Sequence, residues 1–281
     1  MTATTSASST KVNFRLAGGP QPLILLPVYV NGGGPFEFIL DTGAGTSLIA
    51  PQIAQQLAVE VTGSKQGQTA GGQVSVSLGR VDALRVGEIE LEQVDVGIVD
   101  LGPIGRAVGA NIDGDLGYNF LKHFRVTINY RDETLRLEDP KRVERLSRTA
   151  RTELPVRLAN PAKPLILADV YLDGRGPFQF ALDTGTSTTA ISDELAKDLN
   201  LTTTEMPPIT TGGSAVEVSA ATVRSFQLGG AKIDNMPVLV GGLLQTLSTV
   251  VGAKLDGIVG YNFLRNYEVV IDYPGETLAL I

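Results

Sequence analysis

Residues 38–43 read Phe38-Ile39-Leu40-Asp41-Thr42-Gly43, and residues 180–185 read Phe180-Ala181-Leu182-Asp183-Thr184-Gly185. In each, an apolar run ends on a carboxylate, a hydroxyl and a glycine. A single Asp-Thr-Gly is an ordinary turn tripeptide after a strand. Two copies in matched surroundings, 142 positions apart, imply two carboxylates held by equivalent loops. Two acids brought together can activate a water between them.

The match extends well beyond the tripeptide. Residues 22–59 align with residues 164–201 without a gap, and 19 of those 38 positions are identical, which marks an internal repeat. Gly71-Gly72 recurs as Gly212-Gly213, and Gly117-Tyr118-Asn119-Phe120-Leu121 recurs as Gly260-Tyr261-Asn262-Phe263-Leu264. Near the ends, Glu133-Thr134-Leu135 recurs as Glu276-Thr277-Leu278. The expected organisation is a tail at 1–10, one half at 11–139, a linker at 140–152 and a second half at 153–281. The tail is rich in Ser, Thr and Ala without an apolar stretch, and is predicted to be disordered. The same composition fits what a removed signal peptide would leave, and that would put the protein outside the cytoplasm. In the linker, Lys141, Arg142, Arg145, Arg148 and Arg151 recur at near-helical spacing, so a solvated linker helix is predicted.

Each half reads mainly as strands. Residues 23–30 and 36–40 flank the turn signal Gly32-Gly33-Gly34-Pro35 and form a hairpin that delivers Asp41 to a loop. A short helix is predicted over 51–57, where Pro51 suits a first turn. Its copy is predicted over 193–199, with Ser192 as cap and Asp193 and Glu194 in the first turn. Glycine-rich stretches follow at 69–76 and 210–218. Strands are predicted at 81–84, 94–99, 223–228 and 236–240. One-turn helices at 118–122 and 261–265 precede strands at 125–130 and 268–273. The fold class is therefore all-β in character, mainly β with short helices.

Composition narrows the function. The net charge of −7 argues against a nucleic-acid partner, whose phosphates call for Lys and Arg. No cysteine is present, which removes thiol nucleophiles, thiolate zinc sites and disulfides together. A Ser-His-Asp mechanism would rest on the single histidine, His123, whose counterpart is Asn266; a surface histidine at a helix end is the plainer reading. No apolar run approaches the ~18 residues of a membrane-spanning helix. Asn111-Ile112-Asp113-Gly114-Asp115 faintly resembles a calcium loop but lacks the late glutamate and has no copy in the second half. No metal and no cofactor are expected.

The paired Asp-Thr-Gly, the Gly-Gly segment about 30 residues after each, and the apolar-apolar-Gly end at Asp115-Leu116-Gly117 and Ile258-Val259-Gly260 resemble the aspartic proteases, the clan of pepsins and retropepsins. The resemblance covers both halves. It implies a bilobal, pseudo-two-fold acid-protease fold built from two retropepsin-like β-barrel halves, with a peptide or protein as substrate. Asp41 and Asp183 would be the catalytic pair. Thr42, Gly43, Thr184, Gly185 and Thr186 would support it, with the threonines bonding across the halves. Gly71, Gly72, Gly212 and Gly213 would lie in two flaps that touch substrate. The halves would pair within one chain, giving a monomer. Asp115 departs from the apolar pattern, which puts the packing behind the first loop in doubt.

Finer details separate subfamilies. Asp41-Thr42-Gly43-Ala44 has the retropepsin form, whereas Asp183-Thr184-Gly185-Thr186-Ser187 has the form common in pepsin second lobes. Gly117-Tyr118-Asn119 stands where retropepsins carry Gly-Arg-Asn or Gly-Arg-Asp, and the acidic partner of that arginine is absent too. A different but consistent solution is expected there. Thr186 offers Asp183 a hydroxyl and Ala44 offers Asp41 none, so Asp183 is expected to ionise first and Asp41 to keep the proton. An alternative is a non-catalytic peptide-binding module on the same fold; it predicts a lost acid or threonine, and neither is lost.

Overall fold

The structure is a computed structural model that describes residues 7–69, 72–141, 150–160, 163–211 and 214–281. It is mainly β, with short helices at the predicted places and two more besides. Gly71, Gly212 and Gly213, expected in the flaps, lie outside the described residues, as do residues 142–149 of the expected linker.

The two halves repeat one strand order. In the first, strands run Arg15–Ala17, Leu23–Val30, Gly33–Leu40, Gly114–Leu116, Leu48–Ile49, Ile89–Ile98, Gly72–Val86 and Val61–Thr69 as neighbours across the sheet. Leu23–Val30 also pairs with Gly72–Val86 through Tyr29 opposite Arg85 and Val30 opposite Leu84. That extra pairing closes six strands into a barrel and removes two free edges. The second half closes the same way, with Lys163–Leu172 against Ser219–Leu228. Phe38, Leu40, Ile49, Leu116 and Phe120 fill the first barrel, and Phe180, Leu182, Ile191, Val259 and Phe263 the second.

Glycine is required where the barrel strands meet most closely. Gly114 pairs with Phe38 and Gly257 with Phe180. A Cβ on Gly114 would lie 2.3 Å from the Phe38 ring, and one on Gly257 would lie 2.1 Å from the Phe180 ring. The phenylalanine occupies the space that a side chain would take.

A six-stranded antiparallel sheet joins the halves, in the order Ser9–Asn13, Thr134–Glu138, Arg125–Asn129, Glu268–Asp272, Thr277–Leu280 and Thr152–Pro155. Its central pair sets Thr127 opposite Val270, equivalent positions of the repeat, so the local two-fold passes between them. At one end of that pair Arg125 meets Asp272 in a buried ion pair, Nε to Oδ2 2.9 Å. At the other end Asn129 Nδ2 donates to Glu268 Oε2 at 3.3 Å. The outer strands revise the expected boundaries. Ser9 and Thr10, read as tail, open a strand paired to Glu138 and Leu137, and Thr152, read as linker, opens its equivalent.

The helices follow their signals. Pro51–Gln56 has proline in its first turn, and Asp193–Asp198 is capped by Ser192, whose Oγ accepts from Leu195 N at 3.1 Å. Gly102–Val108 and Leu243–Val251 were not anticipated. The first is short and glycine-rich, and the second is rich in β-branched residues, which lower helix propensity. Each ends on a left-handed glycine, Gly109 or Gly252. No helix among the described residues is long and apolar enough to cross a membrane.

Gly257→Ala should lower unfolding free energy by about 1–3 kcal/mol through overpacking. Urea denaturation measures this, and the double variant Gly257→Ala/Phe180→Leu should regain part of the loss. A single variant as stable as the wild type would mean that this contact does not constrain the barrel.

Candidate functional site

The loops at Asp41 and Asp183 leave their barrels at equivalent points and meet on the pseudo-two-fold. Asp41 N–H donates to Leu116 O at 3.2 Å and Asp183 N–H to Val259 O at 3.0 Å, so each loop is tied to the strand behind it. The threonines then cross over. Thr42 N–H donates to Thr184 Oγ1 and Thr184 N–H donates to Thr42 Oγ1, both at 3.0 Å. The hydroxyls complete the network, Thr42 Oγ1 to Leu182 O at 3.2 Å and Thr184 Oγ1 to Leu40 O at 2.8 Å. All four groups are buried, where a polar group left unpaired would be costly. The cross-half bonding expected of Thr42 and Thr184 is therefore present in the geometry.

The glycines have a sharper role than backbone freedom. A Cβ on Gly43 would lie 2.7 Å from the Asp183 carboxyl carbon, and one on Gly185 would lie 2.7 Å from that of Asp41. Each glycine thus gives room to the acid of the opposite half. Each also donates to its own acid: Gly43 N to Asp41 Oδ1 at 2.7 Å, and Gly185 N to Asp183 Oδ1 at 2.8 Å.

The two carboxyls differ in surroundings. Thr186 Oγ1 donates to Asp183 Oδ2 at 2.9 Å, as anticipated. Asp41 receives a second backbone donor instead, Ala44 N to Oδ1 at 2.9 Å. Burial, then the charge of Asp41, pushes Asp183 up to about 8; the Thr186 hydroxyl and the Gly185 N–H pull it down, and a hydrogen bond with Asp41 adds to the rise. Burial and the neighbouring carboxyl thus favour the protonated form of Asp183. Burial and the charge of Asp41 act against the early ionisation expected of Asp183, and the Ala44 N–H gives Asp41 a second donor to match the Thr186 hydroxyl.

Behind the loops, the missing arginine is replaced by aromatic packing across the halves. Tyr118 stacks edge-on against Tyr273 with centroids 5.6 Å apart, and Tyr261 against Tyr130 at 5.5 Å. Tyr130 and Tyr273 are buried, and burial raises both phenols far above their usual range. The neighbouring asparagines hold the loops. Asn119 Oδ1 accepts from Ser47 N at 2.7 Å and Asn262 Oδ1 from Thr189 N at 2.8 Å, while Ser47 Oγ and Thr189 Oγ1 accept from Gly117 N and Gly260 N. Sequence reading passed over Ser47, Thr189, Asn119 and Asn262. The repeated Gly-Tyr-Asn was the available signal.

Several other candidates fall outside this constellation. His123 packs its ring against Phe124, and burial and Lys122 lower it. In the calcium-like stretch, Asp113 is engaged by the Asn111 amide at 2.6 Å and by Glu37 N–H at 3.0 Å. Among the described residues no group of three or more His, Cys, Asp or Glu is arranged to hold a metal ion. Both glycine-rich stretches form hairpin arms. Val61–Thr69 pairs with Gly72–Val86 up to Thr69 opposite Gly72, and Ile209–Thr211 pairs with Ser214–Val216. The helix Gly102–Val108 of the first half lies against Ile209–Thr211 of the second.

No curated protein matches this chain significantly. A family model described as aspartyl protease matches residues 26–120 and, separately, residues 168–263. Each match spans one barrel with its Asp-Thr-Gly loop and ends in the following one-turn helix. Together they cover well over half of the sequence, and the chain belongs to the aspartyl protease family.

Proposed function

We propose that this protein is an aspartic endopeptidase, a hydrolase that cleaves peptide bonds with water activated by Asp41 and Asp183. The observation that carries the reading is the crossed packing of the loops: each Asp-Thr-Gly glycine lies against the other half's carboxyl, so the two acids face one another on the axis. Two such acids cannot both ionise, and one proton is shared between them.

The chemistry follows from the asymmetry. Asp41, bonded by two backbone N–H groups, is the base that takes a proton from water. The hydroxide attacks the carbonyl carbon of the substrate peptide. Asp183, which retains its proton, donates to the developing oxyanion. As the C–N bond breaks, Asp41 passes the proton it took from water to the leaving nitrogen, and Asp183 recovers its own from the collapsing diol, which restores the pair. Nothing in these steps calls for a metal or a cofactor. The hairpins ending near Gly71-Gly72 and Gly212-Gly213 act as two lids that exclude water from the bound peptide. One chain supplies both halves of the cleft, so the working unit is a monomer.

Asp41→Asn and Asp183→Asn should each lower kcat/KM by at least about 100-fold, as expected for a lost general base or acid, with melting temperature preserved. A fluorogenic peptide library, with a statine-type inhibitor as control, provides the assay. Near-normal cleavage by either variant would exclude a shared pair.

The pH dependence has a definite sign. Activity requires Asp183 protonated, so it falls as pH rises through the value of Asp183. Removing the Thr186 hydroxyl removes a donor to the ionised form and raises that value further. Thr186→Ala should move the basic limb of kcat/KM to higher pH. A basic limb that moves down, or not at all, contradicts the assignment of the proton to Asp183.

A further inference from the structure

Asp115, the residue that interrupts the apolar pattern before Gly117, belongs to the site. It is the middle residue of Gly114–Leu116, paired with Ile39 on one side and Leu48 on the other. It is 6% exposed. The parallel ladder, which Asp41 N–H continues by bonding to Leu116 O, sets Asp115 beside Ile39 and on the same face as Asp41; there the Asp41 carboxyl acts on it as hydrogen-bond partner and as charge, and its Oδ1 is buried without a partner. In the second half the same position is Ile258, buried among apolar side chains.

Two carboxyls in hydrogen-bond contact need a proton between them. Asp41 is in such contact on both sides, with Asp115 and with Asp183. Among the described residues the charges that act on Asp115 are those of Asp41 and Asp183, and no cation offsets them. A buried carboxylate with no cation is expensive, whereas a neutral carboxyl is a good donor.

We propose that Asp115, Asp41 and Asp183 form a row of three carboxyls holding two protons, in which neutral Asp115 is a positioning residue that donates to Asp41 and keeps it ionised. Asp41 then accepts from both neighbours as well as from Gly43 and Ala44 N–H. The row carries one negative charge, on the middle member. Asp115 thereby fixes which acid is the base, and it holds the Asp41 carboxylate in one orientation. Burial first, and then the charge of Asp41, raise Asp115 well above the carboxylate range, in agreement with its neutral state.

This assignment rests on the reading of Asp41 and Asp183 as the hydrolytic pair, and two measurements separate the two. Isotope-edited infrared spectroscopy of protein with 13C-labelled aspartate carboxyls counts protonated acids without any need for activity. At neutral pH the wild type should show two, and Asp115→Asn should show one. An unchanged protonated signal in Asp115→Asn overturns the proposal even if the enzyme is inactive on every peptide tried. The second measurement is kcat/KM against pH. Asp115→Asn keeps a donor in its amide, so its acidic limb should stay close to that of the wild type. Asp115→Ile installs the residue of the other half and removes the donor, so Asp41 becomes harder to ionise. Its acidic limb should move up by about one pH unit. Asp115→Leu repeats the apolar substitution with a different shape should isoleucine prevent folding. An apolar variant that folds, cleaves peptide and keeps the wild-type limb overturns the proposal. A wild type that cleaves nothing overturns the hydrolytic reading and leaves the proton count to stand by itself.

Discussion

The structure depends on the reciprocal bonds between Thr42 and Thr184. Two buried hydroxyls each accept an N–H from the opposite loop and donate to a carbonyl one residue ahead of the opposite acid. Donors and acceptors are matched only when both loops are present in this register. Each half brings polar groups that it cannot satisfy alone, and burying them unpaired would cost far more than the bonds return. The barrels, the tyrosine pairs and the six-stranded sheet all serve to bring these loops within bonding distance. The Arg125–Asp272 pair adds a charged tie between the halves at the centre of that sheet.

Much of this was legible in the sequence because the repeat reads one half against the other. An apolar run that stops at Asp-Thr-Gly twice can be aligned without knowing the fold, and the alignment carries the hairpins, the helix at Pro51 and the helix at Asp193 with it. The crossed threonines were legible through resemblance. What stayed hidden depends on approach in space. That Gly43 answers to Asp183 rather than to Asp41 cannot be read from Gly43. That Tyr118 packs on Tyr273 requires the axis to be known first. The strand at Ser9–Asn13 has no apolar alternation to announce it and exists because Thr134–Glu138 offers an edge. The comparison of Thr186 with Ala44 weighed side chains alone and left out the Ala44 backbone N–H, which gives each acid two donors.

The halves are equivalent in topology and unequal in chemistry. One hairpin is long and continuous, while its counterpart is a short two-stranded sheet that leans on a helix of the first half. One loop feeds its acid with two backbone donors and the other with a backbone donor and a hydroxyl. One strand behind the loops carries a carboxyl and the other a methyl-rich side chain. Symmetric scaffolding keeps the two acids in place, and the departures from symmetry give them different surroundings.

The glycine at the centre of each loop has a consequence for how such a chain can change. A duplicated sequence is free to let its copies drift, since a change in one copy is ordinarily judged by that copy's own neighbours. Gly43 and Gly185 escape that rule. Each is judged by a side chain encoded some 140 codons away, and even a methyl group at either would strike a carboxyl of the other copy. The two copies therefore share a single heritable constraint at this point, and neither can leave it without unseating its twin.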